Sequence, residues 1–134
     1  MRVAFVCVQN AGRSQMAHAF AERAVRERGL DVDPVTGGTD PADAVHDVVV
    51  EAMAEVDVDL SGRRPREIGP DDLADADVVV TMGCSAEGVC PATWRGDARD
   101  WDLDDPHGRD LEDVRAIRDE IRRRVDALLD ELAA

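Results

Sequence analysis

The chain contains no tyrosine and no lysine, and only two phenylalanines and two tryptophans among its 134 residues. With so few rings, a pocket walled by aromatics to grip a phenol is hard to build. All 16 basic residues are arginine, set against 30 acidic ones, for a formal net charge of −14. That balance leaves no basic footprint for nucleic acid. No apolar run approaches a membrane span, and the first residues read as a strand with a charge at Arg2, not as a signal peptide. The three cysteines, Cys7, Cys84 and Cys90, are an odd number, unlike the even disulfide framework of a short secreted scaffold. They point instead to a cytoplasmic protein with reactive thiols. No metal site is assigned: Cys84 and Cys90 are spaced wider than a usual zinc-ligand pair, and the histidines are scattered.

An apolar content of 44% in this length predicts a single domain, 1–134, with one real core. Acidity is spread along the chain, as in Asp71-Asp72, Asp75, Asp77, Asp102 and Asp104-Asp105, while apolar periodicity continues between the charges. A disordered acidic tail is therefore excluded. A solvated acidic surface suits high salt, where its self-repulsion is screened, and implies a halophilic source and a soluble, monomeric protein.

The most informative stretch is FVCVQNAGRSQMAHAF at the start. A short apolar strand, Val3 to Val8, carries Cys7; the loop Val8, Gln9, Asn10, Ala11, Gly12 follows, then Arg13 and Ser14 at the opening of a helix. Such a turn points backbone N–H groups and the positive end of a helix dipole at one spot. A cysteine there is held as thiolate, and the arginine beside it grips a tetrahedral oxyanion with two parallel hydrogen bonds. The pattern suits nucleophilic attack on phosphate or a phosphate mimic. Against it stands the plainer reading of Cys7 as a buried strand residue and Arg13 as a solvated helix start.

Helix and strand signals alternate through the rest. Ser14–Arg28 reads as a helix stopped by Gly29. Val32–Thr36 reads as a strand closed by Gly37-Gly38. A second helix is expected from Asp40-Pro41, with Asp40 as cap, to Val56. Residues 57–70 read as irregular, with a helical turn at Asp71–Ala74. Asp77–Met82 and Ala98–Leu103 read as strands, and Leu111–Leu132 as a final amphipathic helix. Strands separated by helices predict a doubly wound α/β fold, a four-stranded parallel sheet with helices on both faces. Cys7, Cys84 and Asp105 each follow a strand, so three segments are placed to converge on one crevice at the carboxyl edge.

The loop Cys7–Ser14 with Gln15-Met16-Ala17 resembles the low-molecular-weight protein tyrosine phosphatase fold, and more closely its thioredoxin-coupled, three-cysteine arsenate reductases. VVVTMGC ending at Cys84, Cys90-Pro91, WDLDDP ending at Pro106 and VRAIRDEI from Val114 carry the resemblance along nearly the whole chain. It implies Cys7 as the nucleophile on arsenate, Arg13 and the loop N–H groups as its oxyanion cradle, Ser14 as donor to the thiolate, and Asn10 as a brace of the loop. Asp105 would be the general acid, presented by Pro106. Cys84 would attack the arsenic-bearing Cys7 and release arsenite, and Cys90 would attack Cys84. The resulting Cys84–Cys90 disulfide would be reduced by an external dithiol, thioredoxin or a glutaredoxin-like protein, with no cofactor bound. Were 84–90 helical when reduced, its ends would lie roughly 9 Å apart. A disulfide needs about 5.5 Å. The segment, weakened as a helix by Gly83, Ser85 and Gly88, is therefore expected to rearrange.

Some residues depart from the pattern. Gln9 and Gly12 stand where related loops often carry Gly and Cys. His18 stands where several relatives have an acidic ligand of a potassium site, to which Thr36 offers an oxygen. A phosphatase using Cys7, Arg13 and Asp105 is the rival function; it leaves Cys84 and Cys90 idle and lacks aromatics, with His107 standing where such phosphatases place them. A thiol sensor or arsenite-binding module would leave Arg13, Ser14 and Asp105 unexplained. His46 reads as a surface or half-buried side chain, His107 as loop structure, Trp94 and Trp101 as packing residues, and Arg122–Arg124 as a solvated helix face.

Overall fold

Alternation along one strand sets the layout. In the computed structural model, which describes residues 1–83, 89–91 and 94–133, β1 (Arg2–Cys7) turns Val3, Phe5 and Cys7 to one face and Ala4 and Val6 to the other. β1 pairs in parallel with β2 (Asp33–Gly38) on one side and β3 (Val78–Met82) on the other, and β3 pairs with β4 (Asp97–Asp100). The order β2-β1-β3-β4 makes the four-stranded parallel sheet that the sequence predicts. Both faces are covered, which is why VAFVC and VVVTM read as nearly unbroken apolar runs.

Three of the helices among the described residues cover the face carrying Val3 and Phe5: α1 (Arg13–Arg28), α2 (Asp47–Ala54) and, after α3 (Pro70–Leu73), α4 (Leu111–Ala133). α4 buries Val114, Ile117, Ile121, Val125 and Leu128 at helical spacing, and Gly29, in left-handed conformation, ends α1. The opposite face is closed by the short α3 (Pro70–Leu73) together with Ile68, Ala76, Val89 and the half-buried Trp94. Trp94 donates its indole N–H to Ala76 O, and Trp101 packs its ring 6.0 Å from that of Phe5. No helix among the described residues is long and apolar enough to cross a membrane.

Three local expectations are corrected. The second helix does not open at Asp40-Pro41; it starts at Asp47 behind His46 and ends at Ala54, short of Val56. A helix opening at Asp40 would bond the His46 N–H back to Ala42, but that N–H is given to Ala11 O. Asp40 and Ala42 likewise donate to Val8 O and Gln9 O, so 39–46 forms a brace around the first loop. Gly37-Gly38 do not close β2 but belong to it. A Cβ on Gly37 would lie 2.4 Å from Ile68 Cβ, and one on Gly38 would lie 2.4 Å from Val8 O, so these are sites of close backbone approach. β4 is shorter than expected and ends at Asp100, although the Trp101 N–H still reaches Thr81 O at 2.9 Å. The rearranging segment expected from Cys84 to Cys90 falls largely on 84–88, outside the described residues.

Candidate active site

β1 runs out at Cys7 and α1 begins at Arg13, so the intervening loop sits at the carboxyl edge where the chain turns to β2 on one side and β3 on the other. That reversal point is where open α/β sheets leave a crevice. Asn10 holds the loop's tight bend at φ 53, a left-handed conformation that asparagine tolerates. Its side chain is fully buried and spans three elements. Nδ2 donates to Ser14 Oγ (2.7 Å) and Thr36 Oγ1 (2.9 Å), while Oδ1 accepts from Gln15 Nε2 (3.0 Å) and the Arg66 N–H (3.1 Å).

These bonds fix the hydroxyl directions. Thr36 accepts from Asn10 and so donates to Phe5 O at 2.8 Å. Ser14 Oγ also accepts from Asn10 and lies 2.8 Å from Cys7 Sγ, and with a thiolate there the hydroxyl is the donor. The Asn10 N–H reaches the same sulfur at 3.2 Å. Two donors on one buried sulfur are the environment a thiolate requires.

Above the sulfur lies a cleft of about 280 Å³, floored by the Cys7–Arg13 loop and walled by His46, Gly83 and Asp105. None of the described residues lining it is Phe or Trp. Arg13 is nearly buried and is held by Leu103, whose carbonyl accepts from Nη1 at 3.0 Å; Nη2 lies 3.8 Å from Asp105 Oδ2. Asp105 is exposed and oriented by a turn: the His107 N–H donates to Oδ1 at 2.9 Å, and Arg109 Nε donates to its carbonyl. Buried Pro106 seats this turn against Gly12.

Cys7, Arg13, Asp105 and the loop residues Val8, Gln9, Ala11 and Gly12 thus meet at one cleft, with Asn10 and Ser14 buried beneath it. Cys90 does not line it. Cys90 is half-buried at the edge of the opposite face, where burial pushes its thiol up. Cys84 lies outside the described residues, but Gly83, its neighbour in sequence, lines the cleft at φ 81. A Cβ on Gly83 would come within 2.7 Å of Arg13 Nη2, so this glycine is needed for its backbone angle and for space. Its place just after β3 was the signal available in the sequence. His46, which the sequence presents as a surface or half-buried side chain, is a wall of the cleft. Its ring lies 4.8 Å from that of His107, and burial and then His107 lower its pKa.

The residues around His18 do not fit an alkali cation. Asn10 Oδ1 has two donors, Thr36 Oγ1 is engaged on both sides, and His18 Nδ1 faces the Arg63 guanidinium at 3.2 Å. Gln15 Oε1 is buried without a hydrogen-bond partner, but one carbonyl oxygen is not a coordination shell. The described residues contain no cluster of three or more His, Cys, Asp or Glu able to hold a metal.

Residues 2–134 match the family model described as low molecular weight phosphotyrosine protein phosphatase. A Halobacterium salinarum protein, provisionally named an arsenate reductase, is 56% identical over 129 residues, covering 95% of this chain and 89% of its own. The glutaredoxin arsenate reductase of Synechocystis sp. is 33% identical over 98% of both chains. Among solved structures, the thioredoxin-dependent arsenate reductase of Corynebacterium glutamicum superposes with a TM-score of 0.79 at 33% identity. The match covers 98% of this chain and 61% of that one, so the chain spans about three fifths of that protein's length.

Proposed function

The chain belongs to the low molecular weight phosphotyrosine protein phosphatase family, and from that membership we propose that it is an enzyme reducing arsenate to arsenite, serving arsenic detoxification in the cytoplasm of a halophile. The observation that carries this reading is Cys7, with two donors on its sulfur, sharing a small cleft with Arg13, Asp105 and the residue that precedes Cys84.

In the first step Cys7 attacks arsenic. A sulfur–arsenic bond forms, and one arsenate oxygen departs as water after Asp105 supplies its proton. Arg13 and the loop N–H groups hold the remaining oxygens as charge shifts onto them. Cys84 thiolate then attacks Cys7 Sγ. The new sulfur–sulfur bond replaces the sulfur–arsenic bond, whose electron pair stays on arsenic as As(V) becomes As(III) and leaves as arsenite. Cys90 next attacks Cys84, which expels Cys7 as thiolate and leaves Cys84–Cys90 oxidised. Two thiols have supplied the two electrons. An external dithiol protein, thioredoxin or glutaredoxin in type, restores them; no cofactor need be bound.

Two features support arsenate over an aryl phosphate ester: the lack of benzenoid side chains among the described cleft residues, and the arsenate reductase names of the relatives. The test is arsenite formation followed by chromatography, with arsenate, a thioredoxin system and high salt. Turnover that stops in Cys7→Ser, and that cannot be sustained in Cys84→Ser or Cys90→Ser, is expected. Sustained turnover in either of the latter two variants would refute the relay.

A further inference from the structure

His18 is a half-buried titratable group that the reaction does not use, and its partners show how it is held. Nε2 lies 3.0 Å from Pro34 O, which can only accept, so Nε2 carries the hydrogen. Nδ1 has Arg63 Nη1, which can only donate, at 3.2 Å and Glu22 Oε1 farther off at 3.5 Å, so the nearer contact is made with Nδ1 presenting its lone pair. Arg63 Nη2 meanwhile binds Glu22 Oε1 at 2.7 Å, one turn further along α1. The guanidinium therefore fastens the segment after buried Leu60 to the outer face of α1. Three residues on, that segment reaches the site. Arg66 O accepts the Gly38 N–H at 2.9 Å, and the Arg66 N–H donates to Asn10 Oδ1 at 3.1 Å. Asn10 in turn fixes the Ser14 hydroxyl that points at Cys7.

We propose that Arg63 is a positioning residue for the anion loop. Its guanidinium, half-exposed and clamped by His18 and Glu22, is a tethered cation that holds 60–68 so that the Arg66 N–H keeps Asn10, Ser14 and Cys7 in register. A protein with this cation built in needs no dissolved alkali ion at the junction. The inference rests on Cys7 being the reactive thiol of the proposed function, but not on arsenate being its substrate.

The test reads Cys7 alkylation by iodoacetamide, mapped by peptide mass, on the full chain at constant ionic strength. Arg63→Met is expected to slow it by roughly 3- to 30-fold. Arg63→Lys is expected to restore most of the rate. Because Arg63 acts through Asn10, Arg63→Met combined with Asn10→Ala is expected to be no slower than Asn10→Ala alone. The wild-type rate is expected to be the same in potassium and sodium chloride. If Arg63→Met does not fold, Arg63→Gln is read in its place with the same expectations. An unchanged rate in the Arg63 variant, multiplying effects in the double variant, or a wild-type rate selective for potassium would each overturn the proposal. A protein that fails to reduce arsenate yet shows the expected alkylation pattern would overturn the proposed function and leave this inference standing.

Discussion

Gly12 and Pro106 are packed so closely that a Cβ on Gly12 would lie 2.7 Å from Pro106 Cγ. The Cys7–Arg13 loop and the loop that carries Asp105 are thus held in register by a missing side chain. Gly12→Ala should push Pro106, and Asp105 with it, away from the cleft. A displacement near 1 Å at a reacting group can cost on the order of 100-fold. We expect kcat/KM for arsenate to fall by roughly 10- to 100-fold with little change in melting temperature. Steady-state kinetics beside a thermal melt check both parts.

Ser14→Ala removes the hydroxyl that Asn10 aims at Cys7. A hydrogen bond to a charged group contributes about 1.5–3 kcal/mol, so the attack by Cys7 should slow by roughly 10- to 150-fold. Rapid-quench measurement of the first turnover isolates that step. A rate within twofold of wild type would show that the hydroxyl does not act on the sulfur.

The parts legible in sequence are those set by local pattern. β1, the loop and α1 follow from an apolar run, small polar loop residues and a helical period. The start of α2 was not legible, because it depends on where the His46 N–H goes, and Ala11 O is a tertiary partner. Gly37-Gly38 looked like a stop because glycine usually is one; their reason is the approach of Ile68 and Val8, distant in sequence or across the loop. At the site, Cys7, Arg13 and Asp105 announce themselves by residue type. The Leu103 carbonyl that holds Arg13 has no side-chain signature, and Arg63 lay in a stretch that reads as irregular.

Burial lowers the pKa of His18 from its ordinary 6.5. Its folded value is therefore below its unfolded one, so its contribution to stability is full above pH 6.5 and is lost as pH falls from there through the folded value. The melting temperature should hold steady above about pH 7 and drop on going to about pH 5.5, at fixed ionic strength. His18→Gln should flatten that drop in part, because His46 is lowered too and keeps the same sign. Thermal melts across this range decide it; an equal slope in the variant would contradict the assignment.

Arg118 is a buried cation on α4 that donates to Ala52 O at 2.9 Å and to Glu55 Oε1 at 2.9 Å, tying α4 to the end of α2. Arg118→Met keeps the apolar stem and leaves that carbonyl without its donor. The expected loss is about 1–3 kcal/mol of stability. It should appear in denaturant unfolding, while arsenate turnover well below the melt is unchanged. A midpoint unaltered by the substitution would count against the contact.

The relay itself is tested most directly by mapping thiols and disulfides after a single equivalent of arsenate, in high salt without reductant. The account predicts one equivalent of arsenite, Cys84 joined to Cys90, and Cys7 free. All three thiols intact, in a protein that still hydrolyses aryl phosphates, would contradict it.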